Sequence, residues 1–251
     1  AIEHSVPEWL VEILEQELGS VWEREVIALN EQASTILRAN TLKISPKSLV
    51  DELACENISA FTINGYPDAV QLEEKKNVFL TSAFKDGFFE VQDASSQKIG
   101  RFLEVAEGQR VVDACAGAGG KTLHLSALMK NKGQIIALDI FEWKLAELKR
   151  RAKRAGAHNI ETRLISDNKV IKRLHEKADR LLIDAPCSGL GVLKRNPDSK
   201  WKIDTEFIDR IKVEQQKILQ DYSKMLKKGG KMIYATCSIL PSENNLQVEK
   251  F

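Results

Sequence analysis

From about residue 95 onward, short apolar runs alternate with segments of helical periodicity, and this alternation limits the fold more than any other feature. The apolar runs predict strands at 110–114, 134–139, 159–165, 178–184 and 231–237. Helical patterns lie between them at 121–130, 141–155 and 205–226. Such alternation is typical of a parallel sheet with right-handed crossovers, buried on both faces. The sequence therefore predicts a doubly wound, mostly parallel α/β sheet of Rossmann-like type, with ligands at the C-terminal ends of its strands.

The first 85 residues follow a different pattern, which predicts a small α+β module. Two helices are expected within residues 5–30, and Ser45-Pro46 is a helix start. The strands expected in this module lie at 34–42, 58–63 and 77–81. We therefore predict an N-terminal domain at 1–85 and a catalytic domain at 86–251.

Composition excludes several classes of protein. Hydrophobic residues make up 43% of the 251 residues, which is enough to form a core and excludes a disordered chain. The apolar runs are far shorter than the roughly 20 residues that a membrane-spanning helix needs. No basic segment followed by an apolar run marks a signal peptide. We therefore expect a cytoplasmic protein with no membrane contact, and a monomer.

Cysteine spacing and the distribution of charge limit the function further. The cysteines Cys55, Cys115, Cys187 and Cys237 form no CxxC pair, so neither a metal site nor a disulfide framework is expected. Eight acidic residues and one basic residue lie within 1–31, which leaves a net charge of +8 on the rest of the chain. A basic body suits a polyanionic partner such as RNA, although many enzymes carry similar charge.

A glycine-rich loop, DACAGAGGKT (113–122), follows the first strand of the predicted sheet. Glycines there let the backbone approach a ligand, and the next helix offers free N–H groups. A Walker A loop would need glycine in place of Cys115, and a dinucleotide fingerprint would need glycine in place of Thr122. S-adenosylmethionine needs neither, and Asp139, at the end of the second strand, is placed to hold its ribose hydroxyls.

The glycine loop and the aspartates that follow the second and third strands also have structural interpretations. The loop could be a simple turn, with Asp139 as the N-cap of the following helix. Asp167, just after the third strand, could reach the adenine amino group of the same cofactor. A turn or cap role is more common for an isolated aspartate in this position.

Two cysteines and an aspartate follow the fourth and fifth strands. The fourth ends in DAPCSG (184–189) and the fifth in ATCS (235–238). Because the first, fourth and fifth strands are neighbours in the usual order, we expect Asp184, Cys187 and Cys237 around one crevice beside the cofactor. A single cysteine is more often a small buried hydrophobe, but two in polar strand-end loops favour chemistry.

One reaction uses all three groups. A thiolate that adds to carbon 6 of a pyrimidine makes carbon 5 able to attack a methyl sulfonium. An acid near N3 favours the addition, and a base then removes the carbon 5 proton so that the thiolate can leave. The target base must be unstacked or lie in a loop.

Further segments carry a family resemblance. They are PEWLVEIL (7–14), LRANTLK (37–43), VQDASSQ (91–97), DRLLIDAPCSGLGVLKRNPDSKW (179–201) and YATCSILPSEN (234–244). Together with the loop, they resemble the RsmB/Sun (Fmu-like) family of RNA cytosine-5 methyltransferases over nearly the whole chain. The DAPCSGxGxxxRNPD and ATCS pair is far more specific than any glycine loop.

The resemblance implies a role for each matching residue. Cys237 is implied as the nucleophile, Cys187 as the group that assists product release, and Asp184 as a contact of both cofactor and cytosine. It implies an RNA-binding subdomain in the first 85 residues, with Arg38 and Asn40 in its Arg-x-Asn element. The residues implied to hold S-adenosylmethionine are Cys115, Ala116, Gly117, Ala118, Gly119, Gly120, Lys121, Asp139, Lys144, Asp167 and Asp184.

Two departures from the family pattern stand out. The loop usually reads CAAPGGKT, and Ala118 stands here in place of the proline, which predicts a looser loop that still binds cofactor. The last two strands of the family's sheet are expected after Phe251, so we expect the chain to be a piece of a longer protein.

The sequence therefore predicts an S-adenosylmethionine-dependent methyltransferase that forms 5-methylcytosine through a covalent Cys237–cytosine intermediate. Small-subunit (16S) ribosomal RNA is the expected substrate. Alternatives are the same reaction on transfer RNA, a catalytically silent RNA-binding protein, and, least favoured, an ATPase. The basic segments 144–154 and 194–202 are candidate RNA contacts, although the first could equally be a solvated helix face.

Overall fold

The computed structural model describes residues 5–251, which form two compact units. The smaller unit contains the described residues up to Ala33, together with Asp184–Ser223 and Tyr234–Phe251. The larger unit contains Ser34–Ile183 and Lys224–Ile233. Each unit draws on both sides of residue 85, and the division into 1–85 and 86–251 stays a prediction about sequence subdomains.

The elements are numbered in chain order. The α-helices are α1 (Glu8–Leu18), α2 (Trp22–Asn30), α3 (Pro46–Cys55), α4 (Ser82–Lys85), α5 (Ala94–Phe102), α6 (Gly120–Leu128), α7 (Glu142–Ala155), α8 (Asn168–Arg173), α9 (Thr205–Tyr222) and α10 (Asn245–Lys250). The strands are β1 (Ile36–Ala39), β2 (Ala60–Thr62), β3 (Ala69–Leu72), β4 (Phe89–Val91), β5 (Arg110–Asp113), β6 (Gln134–Asp139), β7 (Ile160–Leu164), β8 (Ala178–Asp184) and β9 (Leu226–Ala235).

The larger unit contains a five-stranded sheet in the order β7-β6-β5-β8-β9. The pairs β5–β6, β6–β7 and β5–β8 are parallel. Leu103, Val111, Leu125, Ile135 and Leu182 pack in one of its cores, which explains why the strands read as continuous apolar runs. The predicted Rossmann-like fold class is therefore confirmed, including the placement of the first, fourth and fifth strands as neighbours.

A second sheet in the same unit is antiparallel, in the order β2-β3-β1-β4. Its core includes Leu37, Leu49, Leu53, Val70 and Phe89, so α3 packs on the sheet through its apolar stripe. The predicted start of α3 is correct, since the Ser45 hydroxyl accepts a hydrogen bond from the Ser48 N–H at 3.1 Å.

The strand predicted at 77–81 is wrong, because Val78–Leu80 form a short 3₁₀ helix. The Asn77 side chain accepts from the N–H of Phe79, and the Thr81 hydroxyl accepts from the N–H of Phe84, which begins α4. Such local side-chain bonds compete with strand pairing. The strands β3 and β4 occupy the positions in the sheet instead.

In the smaller unit α1, α2 and α9 enclose an apolar core. Leu10, Leu14, Val26, Ile208 and Leu240 are buried there. The Asp204 side chain caps α9 by accepting from the N–H of Phe207 at 2.8 Å. Both predicted N-terminal helices are present.

Within residues 5–251, no helix combines the length and the apolar character that crossing a bilayer requires.

Candidate active site

Two cysteines meet in the smaller unit. Cys187 follows β8, Cys237 follows β9, and their Sγ atoms lie 3.0 Å apart. The Cys237 N–H donates to the Cys187 sulfur at 3.3 Å, and the Gly191 N–H donates to the Cys237 carbonyl at 2.8 Å. A Cβ at Gly191 would lie 2.8 Å from that carbonyl oxygen, so only glycine fits this approach. The structure thus brings together the two cysteines that the sequence singled out.

The two thiols differ in their surroundings. The Cys237 sulfur beside it, together with burial, raises the pKa of Cys187 well above its ordinary value. Cys187 therefore keeps its proton at neutral pH and can donate it in a hydrogen bond to Cys237. Cys237 is exposed, whereas Cys187 is partly buried. Of the two sulfurs, Cys237 is therefore the one that a substrate can reach, and its role as nucleophile stays a prediction.

Asp184 is the last residue of β8 and is half-buried. Its contacts with cofactor and cytosine stay predictions.

Glu243 is a residue that sequence reasoning missed. It is fully buried, and its carboxylate accepts hydrogen bonds from Ser188 and Ser238, the residues that follow the two cysteines. Gln215, also fully buried, donates to the same carboxylate at 3.0 Å. Glutamate is seldom fully buried, so nothing in the segment SEN (242–244) separates this residue from a surface glutamate.

In the larger unit, the glycine loop is tied to the end of β6 by Asp139. One carboxylate oxygen accepts from the Gly117 N–H at 2.8 Å and the other from the Phe141 N–H at 2.9 Å. The side chain is buried, and α7 begins beyond it with Phe141 at the N-cap position. The N-cap interpretation of Asp139 is therefore wrong, because its carboxylate bridges the loop and the strand end.

The loop leaves room for a ligand on one side and is closely packed on the other. Gly117 has φ +55°, and a Cβ built there would meet no atom within 4 Å. Gly119 has φ +88°, and its Cβ would lie 2.6 Å from Leu148 Cγ. A carboxylate has about four acceptor positions, so Asp139 retains lone pairs for two hydroxyl donors. The open side at Gly117 and the acceptor at Asp139 fit the ribose of S-adenosylmethionine.

Two arginines donate hydrogen bonds to the carbonyl oxygens of this loop. Arg151 donates to the Ala118 oxygen at 2.8 Å, and Arg38 donates to the Gly120 oxygen. Arg151 and Arg154 both pair with the buried carboxylate of Glu90, at 2.8 and 2.5 Å. The basic segment 144–154 is therefore not a uniform RNA-binding surface, because two of its arginines are structural.

Arg38 and Asn40 are likewise buried rather than presented to solvent. Asn40 donates to the carbonyl oxygens of Gly87 and Ala155, each at 2.8 Å. Burial lowers the pKa of Arg38 to about 10. The Arg-x-Asn element thus fixes β1 against the loop and the end of α7.

The remaining predicted cofactor residues have local partners. Asp167 is exposed and caps α8 by accepting from the Lys169 N–H at 2.7 Å, which is the cap role that the sequence left open. The Lys144 ammonium lies 4.5 Å from the ring centroid of Phe141. Cys115 and Lys121 are half-buried, and Ala116 is buried. Their contacts with a cofactor stay predictions.

The second basic segment, 194–202, is also divided. Lys200 is buried, its ammonium donates to Asn30 at 3.3 Å, and burial lowers its pKa. Trp201 is 60% exposed, and Lys194, Arg195 and Lys202 are exposed. An exposed indole among cations suits base stacking and phosphate contact.

Within residues 5–251, no three His, Cys, Asp or Glu side chains are arranged to hold a metal ion.

Comparison with known proteins gives consistent results. The sequence profile of 16S rRNA methyltransferase RsmB/F matches residues 101–251, and the profile of the RsmF/B-like ferredoxin-like domain matches residues 6–79. The chain is 35% identical to "Probable ribosomal RNA small subunit methyltransferase B" of Synechocystis, over 99% of this chain and 56% of that protein. It is also 35% identical to "Ribosomal RNA small subunit methyltransferase B" of Proteus mirabilis, over 98% of this chain and 58% of that protein.

Among solved structures, a "Methyltransferase Homolog Protein" from Pyrococcus horikoshii superposes with a TM-score of 0.86 at 28% identity, covering 99% of this chain and 79% of that one. Of the two methyltransferase B relatives named above, the chain spans little more than half the length. The RsmB/F profile covers well over half of the chain and includes both cysteine loops and the glycine loop. The chain belongs to the RsmB/F family of 16S rRNA methyltransferases.

Proposed function

We propose that this chain carries the catalytic part of an S-adenosylmethionine-dependent enzyme that forms 5-methylcytosine in small-subunit ribosomal RNA. The observation that carries the proposal is the pair of thiols 3.0 Å apart, of which Cys187 holds its proton and Cys237 is exposed. The curated relatives described above support the ribosomal substrate through their names.

In this mechanism Cys237 attacks carbon 6 of the cytosine, and a sulfur–carbon bond forms. The hydrogen bond that Cys187 can donate stabilises the negative charge on the Cys237 sulfur before attack. Asp184 is assigned to the N3 edge of the base, where a proton favours the addition. Bound S-adenosylmethionine supplies a methyl group on a positively charged sulfur, which the enamine carbon 5 then takes.

The second half of the reaction assigns a base role to Cys187. Once Cys237 is bonded to carbon 6 it carries no charge, so the main cause of the raised pKa of Cys187 is gone. Cys187 can then ionise and accept the carbon 5 proton. The electron pair of that C–H bond restores the ring double bond as the Cys237 sulfur leaves. The same thiol thus serves first as hydrogen-bond donor and later as base.

The larger unit contributes cofactor binding to this proposal. Asp139 and the backbone around Gly117 would hold the ribose and methionine parts, since the carboxylate accepts hydroxyl donors and the loop is open there. We assign the protein to the cytoplasm because its chemistry needs reduced thiols. Trp201 and the exposed cations beside it are the surface that we assign to RNA.

The test is methyl transfer from tritiated S-adenosylmethionine to unmodified ribosomal RNA and to transfer RNA in separate reactions. Label in ribosomal RNA, recovered as 5-methylcytosine and absent with Cys237→Ala, is the expected result. The variant should bind cofactor as the wild type does, because Cys237 lies outside the glycine loop. Label in transfer RNA alone would overturn the assigned substrate. Cofactor binding without label in either RNA would favour a silent RNA-binding protein.

A further inference from the structure

We propose that Glu243 is a positioning residue that sets the distance between the Cys187 and Cys237 sulfurs, an inference that deepens the function proposed above. Glu243 does not touch either sulfur in this arrangement. It acts through the serine that follows each cysteine.

The carboxylate of Glu243 accepts four hydrogen bonds. Its Oε1 accepts from the Ser188 N–H at 2.8 Å and from Gln215 Nε2 at 3.0 Å. Its Oε2 accepts from the Ser188 hydroxyl at 2.5 Å and from the Ser238 hydroxyl. The two hydroxyl oxygens lie 3.1 Å from each other. One buried side chain therefore bridges the residues that flank both thiols.

Further bonds hold the two loops and Glu243 in the same network. Gln215 Nε2 also donates to the carbonyl oxygen of Pro186, the residue before Cys187, at 2.9 Å. The Tyr234 hydroxyl donates to the Glu243 carbonyl at 2.9 Å. The Asn244 amide donates to the Ser238 carbonyl at 2.9 Å. Side-chain and backbone hydrogen bonds therefore hold both cysteine loops against Glu243.

The chemistry of the four donors explains why a glutamate stands here. A carboxylate accepts at about four positions and donates at none, whereas a glutamine amide turns half of those positions into donors. All four donors are neutral groups, so burying this charge is unfavourable unless every bond is made. A position that needed only an apolar filler would not carry a fully buried glutamate.

The consequence for function is geometric. The Cys187 thiol can donate to Cys237 only while the two sulfurs stay in contact, as they are at 3.0 Å. Displacing a reacting group by about 1 Å can lower a rate about a hundredfold. Loss of the carboxylate should therefore lower the turnover number and leave cofactor binding and the KM for RNA nearly unchanged.

The test measures the sulfur positions without relying on methyl transfer. Diamide oxidises two thiols to a disulfide and is itself reduced to the hydrazine, and the rate of the Cys187–Cys237 product depends on how the sulfurs are held. Peptide mapping separates this disulfide from products of Cys55 and Cys115. With Glu243→Gln we expect this rate to fall at least about fivefold. The amide N–H groups would stand where the two serine hydroxyls need an acceptor.

A matched control is available in the same unit. Glu17 also accepts two hydrogen bonds, from the Ser242 N–H at 2.9 Å and the Ser242 hydroxyl at 2.6 Å. It makes the same kind of contact one residue away from Glu243, with a partner that does not flank a cysteine. Glu17→Gln should form the disulfide at the wild-type rate. An unchanged rate in Glu243→Gln, or an equal fall in both variants, would overturn the proposal.

A second variant covers the case in which Glu243→Gln does not fold. Replacing both serines (Ser188→Ala with Ser238→Ala) removes the two hydroxyl donors, keeps the Ser188 N–H and Gln215 as donors, and leaves Glu243 in place. It should slow disulfide formation at least about fivefold relative to the wild type, since the carboxylate loses both hydroxyl donors. Where Glu243→Gln does fold, the variant that combines all three changes should be no slower than either, since coupled changes are not additive. A wild-type rate in the double variant would contradict action through the serines.

Methyl transfer then separates this proposal from the proposed function. If wild-type protein labels RNA, Glu243→Gln should lower kcat about a hundredfold while KM changes less than about twofold. If wild-type protein labels no RNA, the proposed function fails. The dependence of disulfide formation on Glu243 is still measured in that case.

Discussion

The glycine loop and the two cysteine loops are each held by a buried carboxylate, but the two carboxylates have opposite kinds of partners. Glu90, behind the glycine loop, pairs with the guanidinium groups of Arg151 and Arg154. Glu243, behind the cysteine loops, accepts from two serines and a glutamine. The first carboxylate is neutralised by charge, and the second is satisfied by neutral donors alone.

The difference explains how much each loop can vary in sequence. Arginines hold the glycine loop by its carbonyl oxygens at Ala118 and Gly120, which any residue supplies. The family's proline can therefore be alanine at position 118 without losing the anchor. The cysteine loops are held through the side chains of Ser188 and Ser238, so their anchors depend on residue type. We expect changes near Glu90 to affect stability and changes near Glu243 to affect rate.

After loss of the Cys237 nucleophile itself, the largest effect is expected from Cys187→Ala. Without the thiol that accepts the carbon 5 proton, methylated RNA should stay bonded to Cys237, and multiple turnover should fall about 10³-fold. Denaturing gel electrophoresis would show a protein–RNA adduct that Cys237→Ala does not form. A Cys187→Ala protein that releases product at the wild-type rate would remove the role assigned to this thiol.

Glu90→Gln should cause the largest loss of stability in the glycine-loop region. It leaves two largely buried guanidinium groups without their carboxylate, which costs about 4 kcal/mol for a buried pair. Urea unfolding measures the change, and cofactor affinity should fall because Arg151 also holds Ala118. Glu107→Gln, which removes an exposed carboxylate paired with Lys130 and Lys132, is the control and should leave unfolding nearly unchanged. Equal effects would contradict the importance of burial.

The sequence predicted most of the larger sheet because its signals are local. The predicted runs coincide with β5 to β9, and in β5, β6 and β8 burial makes the apolar run nearly continuous. The small antiparallel sheet was predicted less well. The segment 77–81 is as apolar as a strand, but Asn77 and Thr81 turn it into a helical start through side-chain bonds. Propensity alone does not distinguish the two outcomes.

The candidate site divides in the same way. The cysteines could be placed together from strand order, since neighbouring parallel strands end at the same edge. The residues that hold the cysteine loops and the glycine loop could not, because Glu243, Gln215 and Arg151 are polar side chains that sequence patterns assign to the surface. Most of the partners that bury them are far away in the chain, such as Gln215 for Glu243 at 28 residues and Glu90 for Arg151 at 61 residues. Only the folded arrangement identifies them.

A third carboxylate, Asp68 in the larger unit, combines both kinds of partner and gives a pH-dependent prediction. Burial by itself raises the pKa of Asp68, but hydrogen bonds from His124 and Arg101 hold it well below its ordinary value. Burial, aided by the nearby charge of Arg38, lowers the pKa of His124 to about 4 despite the bond to Asp68. His124 is therefore neutral at pH 7 and donates through Nε2 at 2.9 Å.

Because the pKa of His124 is lowered on folding, the unfolded chain binds a proton more readily than the folded protein. The stabilising contribution is complete above about pH 6.5 and is lost as the pH falls towards 4, by about 3 kcal/mol in all. Urea unfolding of wild type and His124→Gln at several pH values should show this slope in the wild type alone. Asp68 adds its own slope only at lower pH, because its pKa is lowered from 3.8. Parallel slopes above pH 4 would contradict a neutral buried histidine.

The smallest effect is expected from Arg150→Gln, next to Arg151 on α7. The Arg150 guanidinium is exposed and pairs with Glu147 within the same helix, and exposed pairs of this kind contribute little to stability. Urea unfolding should therefore not change, in contrast to Arg151→Gln, which breaks the bonds to Glu90 and Ala118. If the exposed side of α7 contacts phosphate, RNA affinity at low salt should fall about twofold and the salt dependence should weaken by about one counterion. An unchanged salt dependence would assign the exposed cations of α7 to solvent, and RNA contact would then rest on the segment around Trp201.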